Sequence, residues 1–134
     1  MPPNIPLVAA ACAAVLGLLA AALTVRVILF RVRFKVDAGD GGQPALAQAI
    51  RAHANLAEQV PLALLLIAFA EVTGAPAVVG YALAAALLVA RFASAWGLSH
   101  SLGPTSPRQA GAGLTVLVVV AASLVILYRL AVGA

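Results

Sequence analysis

Acid is nearly missing from this chain: Asp37, Asp40, Glu58 and Glu71 are its only four acidic residues. Charged residues of both signs make up 9% of the 134 positions and hydrophobic ones 64%, against about a quarter and about a half in an ordinary soluble domain. So little polar sequence cannot cover a water-soluble core. A mean hydropathy of +1.11 points the same way, to an integral membrane protein forming one compact domain.

Other shortages exclude more. The only cysteine, Cys12, lies within an apolar run, which rules out an intramolecular disulfide, a zinc knuckle and a redox pair. It reads as a small buried hydrophobe. His53 and His100 fall on different elements without clustered acid, so no metal site is expected. Ser94 and Ser99 have no neighbouring base from which to build a nucleophile. Aromatics are scarce at 5%, and the eight basic residues are scattered without them, so the net charge of +4 is topological and no nucleic-acid partner is expected. The first apolar run has no basic region ahead of it, and it is expected to stay as a spanning helix rather than be cleaved as a leader.

What the chain does have is four apolar runs, each near the roughly 20 residues that cross a bilayer. They predict an all-α, four-helix membrane bundle with helices over about 5–30, 46–70, 75–98 and 108–130. Between them, "DAGDGGQP" is dense in turn formers, with Pro44 suited to the first turn of the second helix, and "GPTSP" breaks the chain before the fourth. Arg31, Arg33 and Lys35 fill the first connection and Arg108 the third, while the second, "EVTGAP", has no base. By the positive-inside rule the first and third loops face the cytoplasm and both termini the other side, with Arg129 dissenting. Arg26, Arg33 and Lys35 are read as interface anchors, and Glu71 as the far end of the second helix.

The polar residues within the second run carry the chemistry. At about 100° per residue, Arg51, Asn55 and Glu58 fall within about 60° of one another and form one stripe, which Gln48 extends. Glu58 lies well inside the hydrocarbon layer, where an ionisable side chain needs a partner or a cavity and is a functional-site candidate by default. Arg91, on the third helix in the depth band of Asn55, is the expected partner of Glu58. Arg31, Arg51, Arg91 and Arg108 together outnumber that single deep carboxylate. A bundle that gathered them would favour a small zwitterion with surplus carboxylates.

The spacing Arg-x-x-x-Asn-x-x-Glu-x-x-Pro, here Arg51, Asn55, Glu58 and Pro61 near the start of the second of four membrane helices, resembles the family of membrane-associated proteins in eicosanoid and glutathione metabolism. The wider string "GDGGQPALAQAIRAHANLAEQVPLALLLIAFAE" is similar to its bacterial branch. The resemblance implies a homotrimer in a bacterial inner membrane that binds glutathione as co-substrate between subunits. It implies that Arg51 takes a glutathione carboxylate, Asn55 the peptide and Glu58 the γ-glutamyl ammonium. Arg31 and Arg91 would line the pocket, and Arg108 would be the catalytic arginine that stabilises the thiolate.

Two departures bear on activity. Ser94 and Leu98 stand where studied members have tyrosines, and Gln109 where a serine can follow the fourth-helix arginine. Eicosanoid synthesis is therefore not expected. The expected function is a glutathione-dependent transferase or peroxidase acting on lipophilic electrophiles or hydroperoxides delivered through membrane lipid. The alternatives are a non-catalytic thiol-binding membrane protein and a small proton-coupled transporter working through Glu58.

Overall fold

The structure, a computed structural model, describes residues 5–133. It is all-α, with α1 over Leu7–Phe34, α2 over Pro44–Val72, α3 over Ala77–His100 and α4 over Ser106–Ala131. All four helices are long and apolar enough to span a membrane. Large apolar side chains point outward around the bundle, among them Leu18, Val32 and Val78, each more than two-thirds exposed. Such an exterior suits lipid and would be unstable against water.

α2 and α3 form the centre. Each packs against the other, against α1 and against α4, whereas α1 and α4 do not meet among the described residues. The core is fine-grained, built from small and aliphatic residues such as Ala9, Leu16, Ala63, Ile67, Leu87 and Ala122. Without a hydrophobic drive between helices in lipid, close approach of small residues supplies the packing.

All four helices run past their predicted C-terminal ends, while α1 and α3 start two residues later than predicted, and the reasons are local. α1 continues through Arg31 and Arg33 to Phe34, since arginine is a good helix former and can snorkel. It stops where Lys35 takes a left-handed conformation (φ 55°), and Val36 N–H donates to Arg31 O at 3.1 Å. α2 starts on Pro44, as the turn-rich sequence indicated. α4 starts at Ser106, with Pro107 inside its first turn, where the missing N–H of proline does no harm. The break before α4 therefore ends at Thr105, and Arg108 lies in the first turn of the helix.

Side chains sew the helix ends together and fix their directions. Glu71, near the end of α2, accepts from Val8 N–H (3.0 Å) and Ala9 N–H (2.7 Å) in the first turn of α1. It is more than an end marker: Pro6, at the N-cap of α1, supplies no side-chain cap, and the carboxylate of α2 takes that role at the positive end of the helix dipole. Arg129, at the end of α4, donates from Nε to Thr73 O at 3.0 Å, the C-cap of α2. Its place on the loop-two side, against the trend of the other basic residues, thus has a structural cause. Arg26 is likewise more than an anchor: it bonds Ser99 Oγ and lies over the Phe30 ring, tying α1 to the end of α3. α1 and α3 accordingly run one way and α2 and α4 the other.

Replacing Glu71 with alanine removes both bonds to the start of α1. The expected loss is about 1–2 kcal/mol, from the cap and the dipole together. Unfolding of the detergent-solubilised protein by a denaturing detergent measures it, and an unchanged midpoint would mean that water caps α1 equally well.

Candidate functional site

The stripe on α2 forms as the helical spacing requires, but its members differ in environment. Arg51 and Glu58 are exposed on the surface of the single chain, Asn55 is half-buried, and the intervening Ala52 and Leu56 turn into the core. Neither Arg51 nor Glu58 has a hydrogen-bond partner among the described residues. Both are charged, unpaired and carried on a segment that spans a membrane.

Arg91 is the opposite case. Its side chain is 1% exposed and stands at the meeting point of α2, α3 and α4. Nη1 donates to Asn55 Oδ1 at 3.1 Å, and Nη2 donates to Ser94 Oγ at 3.3 Å, to Gly111 O at 3.0 Å and to the Thr115 hydroxyl. The expected pairing with Glu58 does not occur; Arg91 bonds the neighbouring member of the stripe instead. Asn55 is turned toward the α2–α3 interface and Glu58 away from it, although three residues on one helix place them on nearly the same face. All four acceptors around the guanidinium are neutral, and Nε has no partner.

This junction depends on close helix contact. A Cβ at Gly111 would come within 2.5 Å of Ala90 O and 3.0 Å of Ser94 N, so α4 lies directly on the α3 backbone there. Lower down, a Cβ at Gly97 would meet Arg108 N at 3.0 Å, which seats the first turn of α4 on α3. Thr115 and Gly111 were not apparent as site residues in the sequence. They look like two more small residues of a lipid-facing helix, and their i, i+4 spacing was the only available hint.

Arg31 and Arg108 lie at the loop end of the bundle and are engaged there. Arg31 Nη1 donates to Asp37 O (3.2 Å) and Gly39 O (3.1 Å), folding the first loop back over α1. Arg108 Nη1 donates to Leu102 O (2.9 Å) and Gly103 O (3.3 Å), closing the third loop. No hydrogen bond joins either to the stripe within the described chain. Arg108 is half-buried and packs six residues beyond the level of Arg91 along α3, or about 9 Å at a helical rise of 1.5 Å. Ser94 and Leu98 are 2% and 1% exposed, so neither offers the outward-facing donor that a tyrosine there would supply.

The apolar grooves lie elsewhere. One of about 330 Å³ runs between α1 and α3, lined by Val8, Cys12, Tyr81, Ala84 and Leu88. Another lies between α1 and α2 beside Pro61 and Leu64. Both open sideways, toward lipid.

Residues 9–128, nearly the whole chain and all four helices, match the profile of the MAPEG family. The chain belongs to that family. The matched segment includes α2 and, with it, the Arg51-Asn55-Glu58 stripe. The chain is also similar to the inner membrane protein YecN of Escherichia coli K12, with 36% identity over 76 residues. The same protein from Escherichia coli O6:H1 strain CFT073 matches to the same extent. That alignment covers 57% of this chain and 58% of the relative, so the likeness extends over little more than half of either.

Proposed function

We propose that this MAPEG protein is a glutathione-dependent transferase or peroxidase of the bacterial inner membrane, assembled as a homotrimer. The observation that carries the reading is the pair of unpaired charges, Arg51 and Glu58, exposed on a spanning helix on either side of Asn55. An arginine and a glutamate left open on a spanning helix are costly against lipid, and a charged ligand or another subunit that covers them removes that cost. Glutathione matches them in order: a carboxylate for Arg51, a peptide for Asn55, and the γ-glutamyl ammonium for Glu58. A neighbouring copy would close the outer side of the pocket.

Arg108 is the residue assigned to the sulfur. A thiol with a pKa of about 8.5 is mostly protonated at neutral pH, and an adjacent guanidinium favours its thiolate. In the transferase reaction the thiolate forms a carbon–sulfur bond while the electrophile loses its leaving group. In the peroxidase reaction two thiols become a disulfide as a hydroperoxide becomes an alcohol and water. Arg31 and Arg108 would turn from the loop carbonyls toward the ligand when the pocket fills. Non-catalytic binding of the thiol is the second reading, favoured by the burial of Ser94 and Leu98, which thins the set of donors around the sulfur.

Thermal unfolding in detergent, with and without millimolar glutathione, tests the binding step on wild type and Arg51→Ala. Ligand at 100 times its dissociation constant adds about 2.7 kcal/mol to the folded state. A rise in the wild-type midpoint that Arg51→Ala loses is the expected result. Turnover of a chlorodinitrobenzene-type electrophile or a lipid hydroperoxide then separates catalysis from binding. No stabilisation by glutathione or a related thiol would overturn the reading.

A further inference from the structure

The hydroxyl of Thr115 is wholly buried and has one proton and two lone pairs to place. The proton goes to Gly111 O, at 2.9 Å, one turn back on the same helix. That leaves a lone pair facing Arg91 Nη2, and a guanidinium can only donate. Thr115 is β-branched, so its side chain has few rotamers among which to move. The guanidinium is thereby held from the α4 side, and its other edge, Nη1, meets Asn55 Oδ1 on α2.

This chain of bonds decides which way the Asn55 amide faces. Because Arg91 offers only protons, the amide must present its oxygen to Arg91 and its NH₂ away from it. No further hydrogen bond to that NH₂ occurs among the described residues. Arg91 is almost fully enclosed and Asn55 is only half-buried, so Asn55 is the member of the relay that a ligand can reach.

We propose that Thr115 is a positioning residue: together with Gly111 O and Ser94 Oγ it holds the Arg91 guanidinium in register with Asn55, so that the Asn55 amide keeps its oxygen on Arg91 and its NH₂ free on the stripe, and the ligand group seated there must be an acceptor, a carbonyl or carboxylate oxygen. Arg91 acts on the ligand through Asn55 rather than by touching it. The consequence for the thiol rests on the function proposed above; the orientation of the amide does not.

The test uses the fact that the chain has two asparagines, Asn4 and Asn55, so that selective ¹⁵N-asparagine labelling gives two side-chain amide pairs. Thr115→Val keeps the volume and loses the hydroxyl, while Thr115→Ser keeps the hydroxyl and loses the methyl. In the protein without ligand, Thr115→Val is expected to shift or broaden the Asn55 pair, with Thr115→Ser at the wild-type position. Glutathione affinity should fall about tenfold in the valine variant, the loss of one charge-assisted hydrogen bond, and stay within about twofold in the serine variant. Damage through packing alone would give the reverse order, since serine leaves the larger void. An Asn55 pair unmoved in folded Thr115→Val overturns the proposal. If that variant does not fold, Thr115→Ala compared with Thr115→Ser isolates the hydroxyl, since both lack the methyl. Wild type that binds no glutathione removes the proposed function, whereas the amide signals still decide the place of Thr115.

Discussion

Substituting leucine for Arg91 is expected to destabilise the folded bundle by about 3 kcal/mol or more, the largest effect of any single side-chain truncation in the chain. The size follows from what is left behind. Gly111 O keeps the Thr115 hydroxyl as a donor, but Asn55 Oδ1 and the lone pairs of Ser94 and Thr115 that faced the guanidinium lose theirs, at about 1–3 kcal/mol for each that is buried. Swapping a whole buried polar cluster for apolar residues can be neutral, but removing only its central donor is not. Arg91→Lys should recover part of the loss, because a compact ammonium lacks the planar fork that reaches Asn55 on one side and Thr115 on the other. The measurement is unfolding in mixed micelles for both variants beside Arg51→Leu, whose exposed side chain predicts little change in stability. Equal midpoints for Arg91→Leu and wild type would mean that the three-helix junction contributes nothing to the fold.

That contrast between Arg91 and Arg51 marks where the sequence stopped being informative. Four spans, their order and the α2 stripe all follow from hydropathy, turn chemistry and a 100° angular repeat, which act within a single segment. Which partner a buried arginine selects is a relation between segments. Depth alone placed Arg91 in the band of Asn55, correctly, yet charge complementarity favoured Glu58, since an ion pair is the obvious way to hold a guanidinium in lipid. The helix rotation chose otherwise, and neutral acceptors on α3 and α4 made up the set. Glu71 was similar. Its position gave the end of a helix, but only packing could reveal that it caps a different one. Arg31 and Arg108 were legible as basic loop residues. Their bonds to the carbonyls of their own loops depend on turns whose course no periodicity encodes.

The junction also accounts for a second large effect, at a residue without a side chain. Gly111→Ala is expected to destabilise the bundle by about 3 kcal/mol, the upper end of the range for overpacking. The added methyl would press on Ala90 O and Ser94 N, and these are backbone atoms of α3, which cannot swing aside as the tip of a side chain can. Relief requires α3 and α4 to separate, and separation stretches the bonds from Arg91 to Gly111 O and Thr115. The same substitution two residues later, Gly113→Ala, provides the control. A Cβ there meets nothing within 4 Å, and alanine is the better helix former by about 1 kcal/mol, so this variant should be neutral or slightly stabilised. If the two variants unfold at the same point, α3 and α4 do not touch at Gly111. If only Gly111→Ala is weakened and it also loses binding of the thiol, the close approach of these helices is what holds Arg91, and through it the stripe, in place.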